Sequence, residues 1–259
     1  MRARLLDLGQ VGAVRSQSVY HAVAAAMGAG DDAVVILSRP AAAFVSVADA
    51  AAEVDADFCR RRDVPILRRW IGGGAALHDP NQILVQVVVP AARAGELGLP
   101  VDAGGRDGAL ARPLVEAYRS LGLAAGFRPP WTVDVEDGGG RLGSLASGEI
   151  GAALCFAGGL VCDLDPALAG AVRSSATTSI AAETGAPPPL ADAAEALIAA
   201  LESCFGLELI PSMPTPAEMD AIYDWDRRLI GDRAAAGFRA PEPEAGFGPP
   251  ARQFAKEIL

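Results

Sequence analysis

Short apolar runs alternate with amphipathic stretches along the chain and predict a series of strands and helices. Residues 32–40 (DAVVILSRP) and 82–90 (QILVQVVVP) are rich in β-branched residues and lie between turn-forming residues, which is typical of buried strands. Further strands are predicted at 4–9, 41–48 and 64–70, in a hairpin at 131–146, and within 152–165. Apolar residues at helical spacing predict helices at 16–27, 49–63, 112–123, 192–204 and 216–236. Ser16 is expected to cap the first of these helices and Thr215 the last.

Glycines predict where several of these elements end. Residues 72–81 (GGGAALHDPN) are expected to form a loop between two extended segments, and residues 138–140 (GGG) the turn of the hairpin. Gly158 and Gly159 are expected to divide residues 152–165 into two short strands. The order of the predicted elements favours a mixed sheet with helices packed against it.

Composition and charge restrict the class of protein. The chain has 259 residues, of which 51% are hydrophobic, so a globular fold is expected. A net charge of −10 and a pI near 4.7 argue against nucleic acid or a membrane surface as a partner, because both are anionic and would repel the chain. The scattered cysteines have no metal-ligand spacing to either histidine, so they are expected to be reduced and no metal site is predicted. The chain shows neither the apolar run of a signal peptide nor a stretch of about 18 apolar residues, which predicts a cytoplasmic location.

Candidate chemistry is concentrated in residues 68–82, RRWIGGGAALHDPNQ. Three adjacent glycines leave backbone N–H groups open to the close approach of a ligand. Arg69 offers paired donors to a carboxylate or phosphate. The glycines alone are equally compatible with a simple bend between two strands. The arginine pair before them and the His-Asp pair after them favour a ligand site.

This segment resembles the signature of the lipoate–protein ligase and octanoyltransferase family, which has an arginine, two variable residues, GGGA, two further residues and His-Asp. Here the motif runs from Arg69 to Asp79. The opening RLLDLGQ and SQSVYHAV are similar to the family's first strand and helix, and residues 139–165 are similar to its hairpin. The resemblance covers roughly residues 2–165.

The resemblance implies an α+β fold of the biotin/lipoate protein ligase type, with a mixed, largely antiparallel sheet flanked by helices. Residues 1–185 would form the catalytic-type domain. Residues 186–259 would form a short helical C-terminal extension that ends in an irregular tail.

The resemblance also implies acyl transfer. A lipoyl or octanoyl carbonyl, activated as an AMP ester or carried on a protein, would be attacked by the lysine of a lipoyl domain or of a glycine-cleavage-H-like acceptor. The ligand would be lipoate or octanoate, its chain in an apolar tunnel lined by alanine- and valine-rich strands. ATP and Mg²⁺ would be needed only by an adenylating ligase, and the short C-terminal segment favours a transferase.

The predicted site follows from the motif. Arg69 and the amides of the glycine run would hold the polar end of the ligand. His78 is favoured as a residue that fixes the loop over a general base, and Asp79 as its orienting partner or a turn residue. Gln82 is a pocket residue or simply the first residue of a strand. The predicted ligand-binding set is Arg69, Gly72, Gly73, Gly74, Ala75, His78, Asp79, Gln82 and Ala146.

The hairpin departs from the family at its most important position. When Ala146 is matched to the family's alanine, Arg141 falls on the family's lysine, whose ammonium would stabilise oxyanion charge. Arg141 still offers positive charge, but its guanidinium is larger, planar and effectively never deprotonated. The only lysine of the chain is Lys256, close to the C-terminus.

Two other features differ from the family. Ala48, Asp49 and Ala50 supply neither the glycine nor the glutamine that usually line the acyl pocket. The stretch before the hairpin lacks the cysteine of acyl-enzyme-forming relatives, and Cys155 and Cys162 are expected in the core. Two hypotheses remain: a lipoyl or octanoyl transferase or ligase with catalytic Arg141, or a non-catalytic acyl- or partner-binding protein on the same scaffold.

Overall fold

A six-stranded mixed sheet forms the centre of the computed structural model, which describes residues 1–48, 53–100, 103–173 and 177–235. Its strand order is β10-β11-β6-β2-β1-β12. The pairs from β10 to β2 are antiparallel, and β1 pairs in parallel with both β2 and β12. These strands are β1 (Arg2–Val11), β2 (Ala33–Pro40), β6 (Gln82–Pro90), β10 (Ala146–Ile150), β11 (Ala153–Val161) and β12 (Glu208–Pro211).

The other strands of the described residues form two small three-stranded sheets. One has the order β4-β3-β5 and carries the segment around the glycine run; the other is the antiparallel meander β7-β8-β9. Their strands are β3 (Phe44–Val47), β4 (Ile66–Arg68), β5 (Ala76–His78), β7 (Ala125–Arg128), β8 (Thr132–Val135) and β9 (Arg141–Ser144).

Helices cover both faces of the large sheet. Helices α3 and α5 share one hydrophobic core with the β6 and β11 side chains of one face, and α1 and α6 share another core on the opposite face. This arrangement confirms the predicted α+β class with a mixed, largely antiparallel sheet. The described helices are α1 (Ala13–Ala26), α2 (Ala56–Arg61), α3 (Ala103–Ser120), α4 (Ile180–Thr184), α5 (Leu190–Phe205) and α6 (Pro216–Ala235).

Several predicted boundaries are wrong. Helix α1 is capped by Gly12, and Ser16 lies inside it, where its hydroxyl donates to the Ala13 carbonyl. Helix α3 starts well before residue 112 and continues through Pro113. Helix α2 is much shorter than predicted, because Asp55 caps it by accepting from the Phe58 N–H group.

Glycine positions explain two further differences. The predicted loop at residues 72–81 contains β5, which pairs with β3. Strand β11 runs unbroken through Gly158 and Gly159. A Cβ atom at Gly159 would lie 2.5 Å from the Ile83 carbonyl oxygen, and one at Gly158 would lie 2.6 Å from a Leu114 methyl carbon. These glycines therefore permit close packing of neighbouring elements and do not end the strand.

The segment after residue 185 packs onto the same layers. Helix α5 lies against α3, β12 extends the large sheet beside β1, and α6 lies against α1. The last helix begins with a capping box, because Thr215 Oγ1 accepts from the Glu218 N–H group while the Glu218 carboxylate accepts from the Thr215 N–H group. Thr215 thus caps α6 as predicted. The domain boundary predicted at residue 185 stays a prediction.

Some predicted features lie outside the described residues, namely Asp49, Ala50, Lys256 and the irregular tail. Within the described ranges, every helix is too short or too polar to cross a membrane.

Candidate functional site

The glycine run packs backbone to backbone against the junction of β9 and β10. Gly73 has a φ of +112°, and a Cβ atom there would lie 2.2 Å from the Leu145 carbonyl oxygen and 2.9 Å from Ala146 Cα. The Gly72 N–H group donates to the Ser147 carbonyl at 2.9 Å. The glycines are thus needed for the backbone conformation of the loop and for its close packing against the hairpin.

Two of the four amides predicted to hold a ligand are engaged by the protein itself. Gly72 bonds to Ser147, and the Ala75 N–H group donates to the Glu53 carboxylate at 2.8 Å. Within the described residues, the N–H groups of Gly73 and Gly74 donate no hydrogen bond. This corrects the expectation that all of these amides face the ligand.

Arg69 is buried and folded back onto the loop. Its Nη2 group donates to the Gly74 carbonyl, its Nη1 group donates to Ser46 Oγ at 3.2 Å, and longer contacts of 3.5 Å reach the Gly72 carbonyl. Burial lowers the pKa of Arg69 from its ordinary value. The arginine therefore holds the loop and Ser46 in place, while its contact with a ligand stays a prediction.

His78 completes a chain of hydrogen bonds with Arg69 and Ser46. Arginine can only donate, so Ser46 Oγ accepts from Arg69, and a second hydrogen bond of 2.9 Å joins Ser46 Oγ to His78 Nε2. Burial and the Arg69 charge lower the pKa of His78 to about 3, and a hydrogen bond with the Gln82 side chain opposes this shift. His78 is therefore neutral at physiological pH, with Nε2 already occupied, which suits the predicted loop-fixing role better than that of a general base.

Asp79 is a buried turn residue. Its carboxylate accepts from the Asn81 N–H group at 2.9 Å and from the Asp165 N–H group at 3.1 Å. Burial raises the pKa of Asp79 above its ordinary value. Its contacts connect the motif to the segment after β11, whereas His78 is oriented by Ser46 and Gln82.

Four of the predicted ligand-binding residues line one cavity, namely Arg69, Gly74, His78 and Ala146. Gly72, Gly73, Ala75, Asp79, Gln82 and the predicted catalytic Arg141 do not line it.

The cavity also contains residues that the sequence analysis missed. Ser46 lies beside Arg69, and two buried glutamines, Gln17 and Gln86, contribute amides to the wall. The lining is consequently more polar than the expected apolar tunnel. Ser46 is the single polar residue of β3, and Gln86 is the single polar residue between Ile83 and Val89 of β6, which was the available signal.

Arg141 begins β9, opposite Asp134 in β8, and is buried. Burial lowers the pKa of Arg141, while the charges of Glu53 and Asp134 raise it. Its Nε atom has no hydrogen-bond partner among the described residues. Glu53 is also close enough to act on the charge of Arg69, so one carboxylate influences both arginines.

His21 joins α1, the glycine loop and α6. Its Nδ1 donates to the Gln17 carbonyl at 2.5 Å, and its Nε2 accepts from the Trp70 N–H group at 3.2 Å. The ring stacks on Trp225 of α6 at 4.9 Å, and burial lowers the pKa of His21 to about 4. His21 thus packs between the glycine loop and α6.

Cys155 and Cys162 are fully buried, as predicted. Burial raises the pKa of each thiol to about 12, so neither is a thiolate at neutral pH.

Comparison with known proteins gives one family and one fold. A family model described as the lipoyl protein ligase A/B catalytic domain matches residues 17–202. A comparison with curated proteins found no match.

Solved structures of lipoate ligases share the fold. A bi-partite lipoate protein ligase of Thermoplasma acidophilum, described with its E2 lipoyl domain, is 19% identical with a TM-score of 0.74, covering 88% of this chain and 93% of that chain. A T. acidophilum protein with bound lipoic acid has the same identity and TM-score, covering 88% and 96%. A lipoate-protein ligase A bound with ATP is 17% identical with a TM-score of 0.73, covering 88% and 95%.

Proposed function

Because the chain belongs to the lipoyl protein ligase A/B catalytic domain family, we propose that it transfers a lipoyl or octanoyl group to the lysine of a lipoyl-type acceptor domain. The observation that carries this proposal is the convergence of Arg69, Gly74, His78 and Ala146 on one cavity. The lipoic acid and ATP held by solved structures of the same fold support an acyl ligand and an adenylate intermediate. The lipoyl domain described with the T. acidophilum ligase supports this class of acceptor.

In the proposed reaction, the neutral amine of the acceptor lysine attacks the acyl carbonyl and a C–N bond forms. The bond between the acyl carbon and the donor breaks, the donor leaves as AMP or as a carrier protein, and the amine loses one proton to the solvent. Gly74 lines the cavity, and its N–H group, which donates no hydrogen bond within the described residues, is the donor of the loop left for the developing oxyanion. The glycine loop is held in position by the hydrogen bonds of Arg69, Ser46 and neutral His78. Arg141 occupies the lysine position and supplies positive charge near the loop.

The source of the acyl group distinguishes a ligase from a transferase. An adenylating ligase would use free lipoate or octanoate with ATP and Mg²⁺, whereas a transferase would accept the acyl group from a carrier protein or an AMP ester.

A mass measurement on the acceptor tests the proposal. The purified protein is incubated with a lipoyl domain or a glycine-cleavage-H-like protein and with lipoyl or octanoyl donors, with and without ATP and Mg²⁺. We expect the acceptor to gain the mass of one acyl group, and a requirement for ATP with the free acid identifies a ligase. An unchanged acceptor mass with every donor would overturn the proposed activity.

The second candidate is a non-catalytic acyl- or partner-binding protein. It is favoured by the position of Arg141, which is buried and does not line the cavity. Comparison of Arg141→Lys with Arg141→Ala separates the candidates. Activity that appears only in the lysine variant identifies a degenerate enzyme, whereas activity of the natural chain that falls at least tenfold in both variants assigns catalysis to Arg141.

A further inference from the structure

Three polar side chains of the cavity wall are joined through one hydroxyl group. Ser46, Arg69 and His78 all line the cavity, and Ser46 Oγ lies 3.2 Å from Arg69 Nη1 and 2.9 Å from His78 Nε2. Ser46 belongs to β3 and His78 to β5, its antiparallel neighbour, so the strand pairing fixes the two side chains beside each other. A serine hydroxyl within hydrogen-bonding distance of a histidine ring is the arrangement of an activated serine nucleophile.

A third residue orients the histidine ring. The Gln82 side chain forms a hydrogen bond with His78 that raises the pKa of the ring, which is the effect of an acceptor. Because Gln82 Nε2 has no hydrogen-bond partner among the described residues, the accepting atom is the Gln82 oxygen. Since Nε2 of the ring lies against Ser46, the neutral ring donates to Gln82 through Nδ1, and Nε2 accepts from the Ser46 hydroxyl. Ser46, His78 and Gln82 are thus arranged as nucleophile, base and orienting group.

The charge of Arg69 favours the reactive form of the serine. Its guanidinium donates to Ser46 Oγ, and a cation in this position stabilises the alkoxide that develops as the proton leaves. Burial and the same charge lower the pKa of His78 to about 3, so the ring is neutral and able to accept a proton at physiological pH. This low pKa makes His78 a weak base, and the stabilised alkoxide offsets the weakness. The base role concerns Ser46 alone, because Ser46 occupies Nε2 and closes it to the acceptor amine.

Within the described residues, the cavity wall contains no other nucleophile that is activated in this way. Ser144 also lines the cavity, but its hydroxyl donates to the Ala75 carbonyl at 3.3 Å. Cys155 and Cys162 do not line the cavity, and burial raises the pKa of each thiol to about 12. Ser46 is therefore the candidate for covalent chemistry in this cavity.

We propose that Ser46 is a catalytic nucleophile that carries the acyl group as an ester between the donor and the acceptor. The proposal rests on the proposed function, which brings a lipoyl or octanoyl carbonyl to the N–H group of Gly74, and it divides the transfer into two steps.

In the first step, Ser46 Oγ forms a bond with the acyl carbon and its proton passes to His78 Nε2. The bond between the acyl carbon and the donor breaks, and His78 gives the proton to the departing donor. In the second step, the neutral amine of the acceptor lysine attacks the ester and a C–N bond forms. The bond between the acyl carbon and Ser46 Oγ breaks, and the amine proton returns to Ser46 through His78.

Intact-protein mass spectrometry tests the intermediate in the absence of an acceptor. The full chain is incubated with octanoyl-pantetheine, octanoyl-AMP or the activated ester p-nitrophenyl octanoate, and samples are quenched in acid from milliseconds to minutes. We expect the protein to gain the mass of one octanoyl group, and peptide mapping to locate this group on Ser46. Addition of a lipoyl domain should then move the added mass from the protein to the acceptor.

Variants assign the intermediate to this residue. Ser46→Ala should abolish the mass gain, and His78→Gln should slow it ~10-fold or more, because the base is lost. Ser46→Cys tests the position independently if the alanine variant does not fold: its acyl group should be a thioester that neutral hydroxylamine cleaves, whereas the Ser46 ester resists. Ser38→Ala is the matched control, since Ser38 Oγ is also buried but has no hydrogen-bond partner among the described residues. We expect this control to be acylated at the natural rate.

Failure of the intermediate and failure of the proposed function give different results. If the lipoyl domain is acylated while the protein never carries an acyl group, or if Ser46→Ala transfers the group at the natural rate, the proposed function stands and the nucleophile is overturned. If Ser46 is acylated and no acceptor gains mass, the nucleophile stands and the proposed function fails. An acyl group mapped to any other residue also overturns the assignment to Ser46.

Discussion

Gly73 has the strictest steric requirement in the glycine loop. Its positive φ is unfavourable for other residues, and a methyl group there would overlap the Leu145 carbonyl. The glycine therefore serves the fold of the site as well as any ligand, because it allows the loop to lie directly on the hairpin.

Gly73→Ala is expected to lower the free energy of unfolding by about 1–3 kcal/mol and to weaken acyl binding, because the loop must move away from the hairpin. Gly95→Ala is the control, since a Cβ atom at Gly95 meets nothing within 4 Å and its φ lies outside the left-handed region. Chemical denaturation measures both variants. Equal stability of the two would contradict the close seating of the loop.

His21 gives the fold a defined pH dependence. The pKa of His21 is about 4 in the folded protein and near 6.5 in an unfolded chain. Between these values the unfolded state binds more protons, so the free energy of unfolding falls as the pH drops from about 6.5 towards 4. The loss for this residue is about 3 kcal/mol.

The measurement compares the natural protein with His21→Gln from pH 7 to pH 4. We expect the variant to show a shallower loss of stability on acidification. The raised pKa values of Asp7 and Asp79 act in the opposite direction, since stability from these groups is lost as the pH rises, but both proteins share them. Parallel pH profiles would rule out His21 as a source of the acid sensitivity.

At the scale of elements, a buried ion pair fastens the last helix to the first. Arg15 of α1 is 1% exposed, and it donates to the Asp226 carboxylate of α6 through Nη2 at 2.6 Å and Nε at 3.1 Å. Ser18 Oγ donates to the same carboxylate at 2.5 Å. Trp225 packs beside this group on His21 and holds α6 close to the glycine loop.

Asp226→Ala is expected to lower the free energy of unfolding by about 3 kcal/mol, because it leaves the buried Arg15 charge without this carboxylate. Asp224→Ala is the matched control on the same helix, since Asp224 is exposed and pairs with exposed Arg227. Thermal denaturation should separate the two variants by several degrees. A control variant as unstable as Asp226→Ala would show that the effect comes from the helix and not from the ion pair.

At the scale of the whole molecule, the segment after residue 185 completes the layers of the sheet. Leu197 and Leu201 of α5 are fully buried in the core shared with α3 and β6, and β12 covers the edge of β1. Removal of this segment would expose apolar surface and an unpaired strand edge.

A fragment of residues 1–185 is therefore expected to lose cooperative thermal unfolding and to aggregate. A chain of residues 1–235 retains every described element and is expected to unfold as the full chain does. Circular dichroism and tryptophan fluorescence, followed in parallel, measure both. A cooperative transition in the shorter fragment would establish the boundary at residue 185 as a domain boundary.

Much of the fold follows from local sequence patterns. The apolar run at 82–90 predicts β6 with its observed bounds, and the Thr215–Glu218 spacing contains the capping box of α6. The Arg69–Asp79 motif indicates the family and, through it, the remaining topology. These features could be predicted because strand alternation, helix capping and a glycine motif each depend on residues that are neighbours in sequence.

The sequence by itself thus determined the fold class, the family and the place of the glycine loop. The tertiary structure alone decided which groups of the site are already satisfied: Ala75 by Glu53, 22 positions away, and Arg15 by Asp226, 211 positions away. It also showed that the buried Oε1 atom of Gln86 has no hydrogen-bond partner among the described residues. The physical reason is that a hydrogen-bonding group finds its partner through packing, and packing joins segments whose sequence separation carries no local pattern.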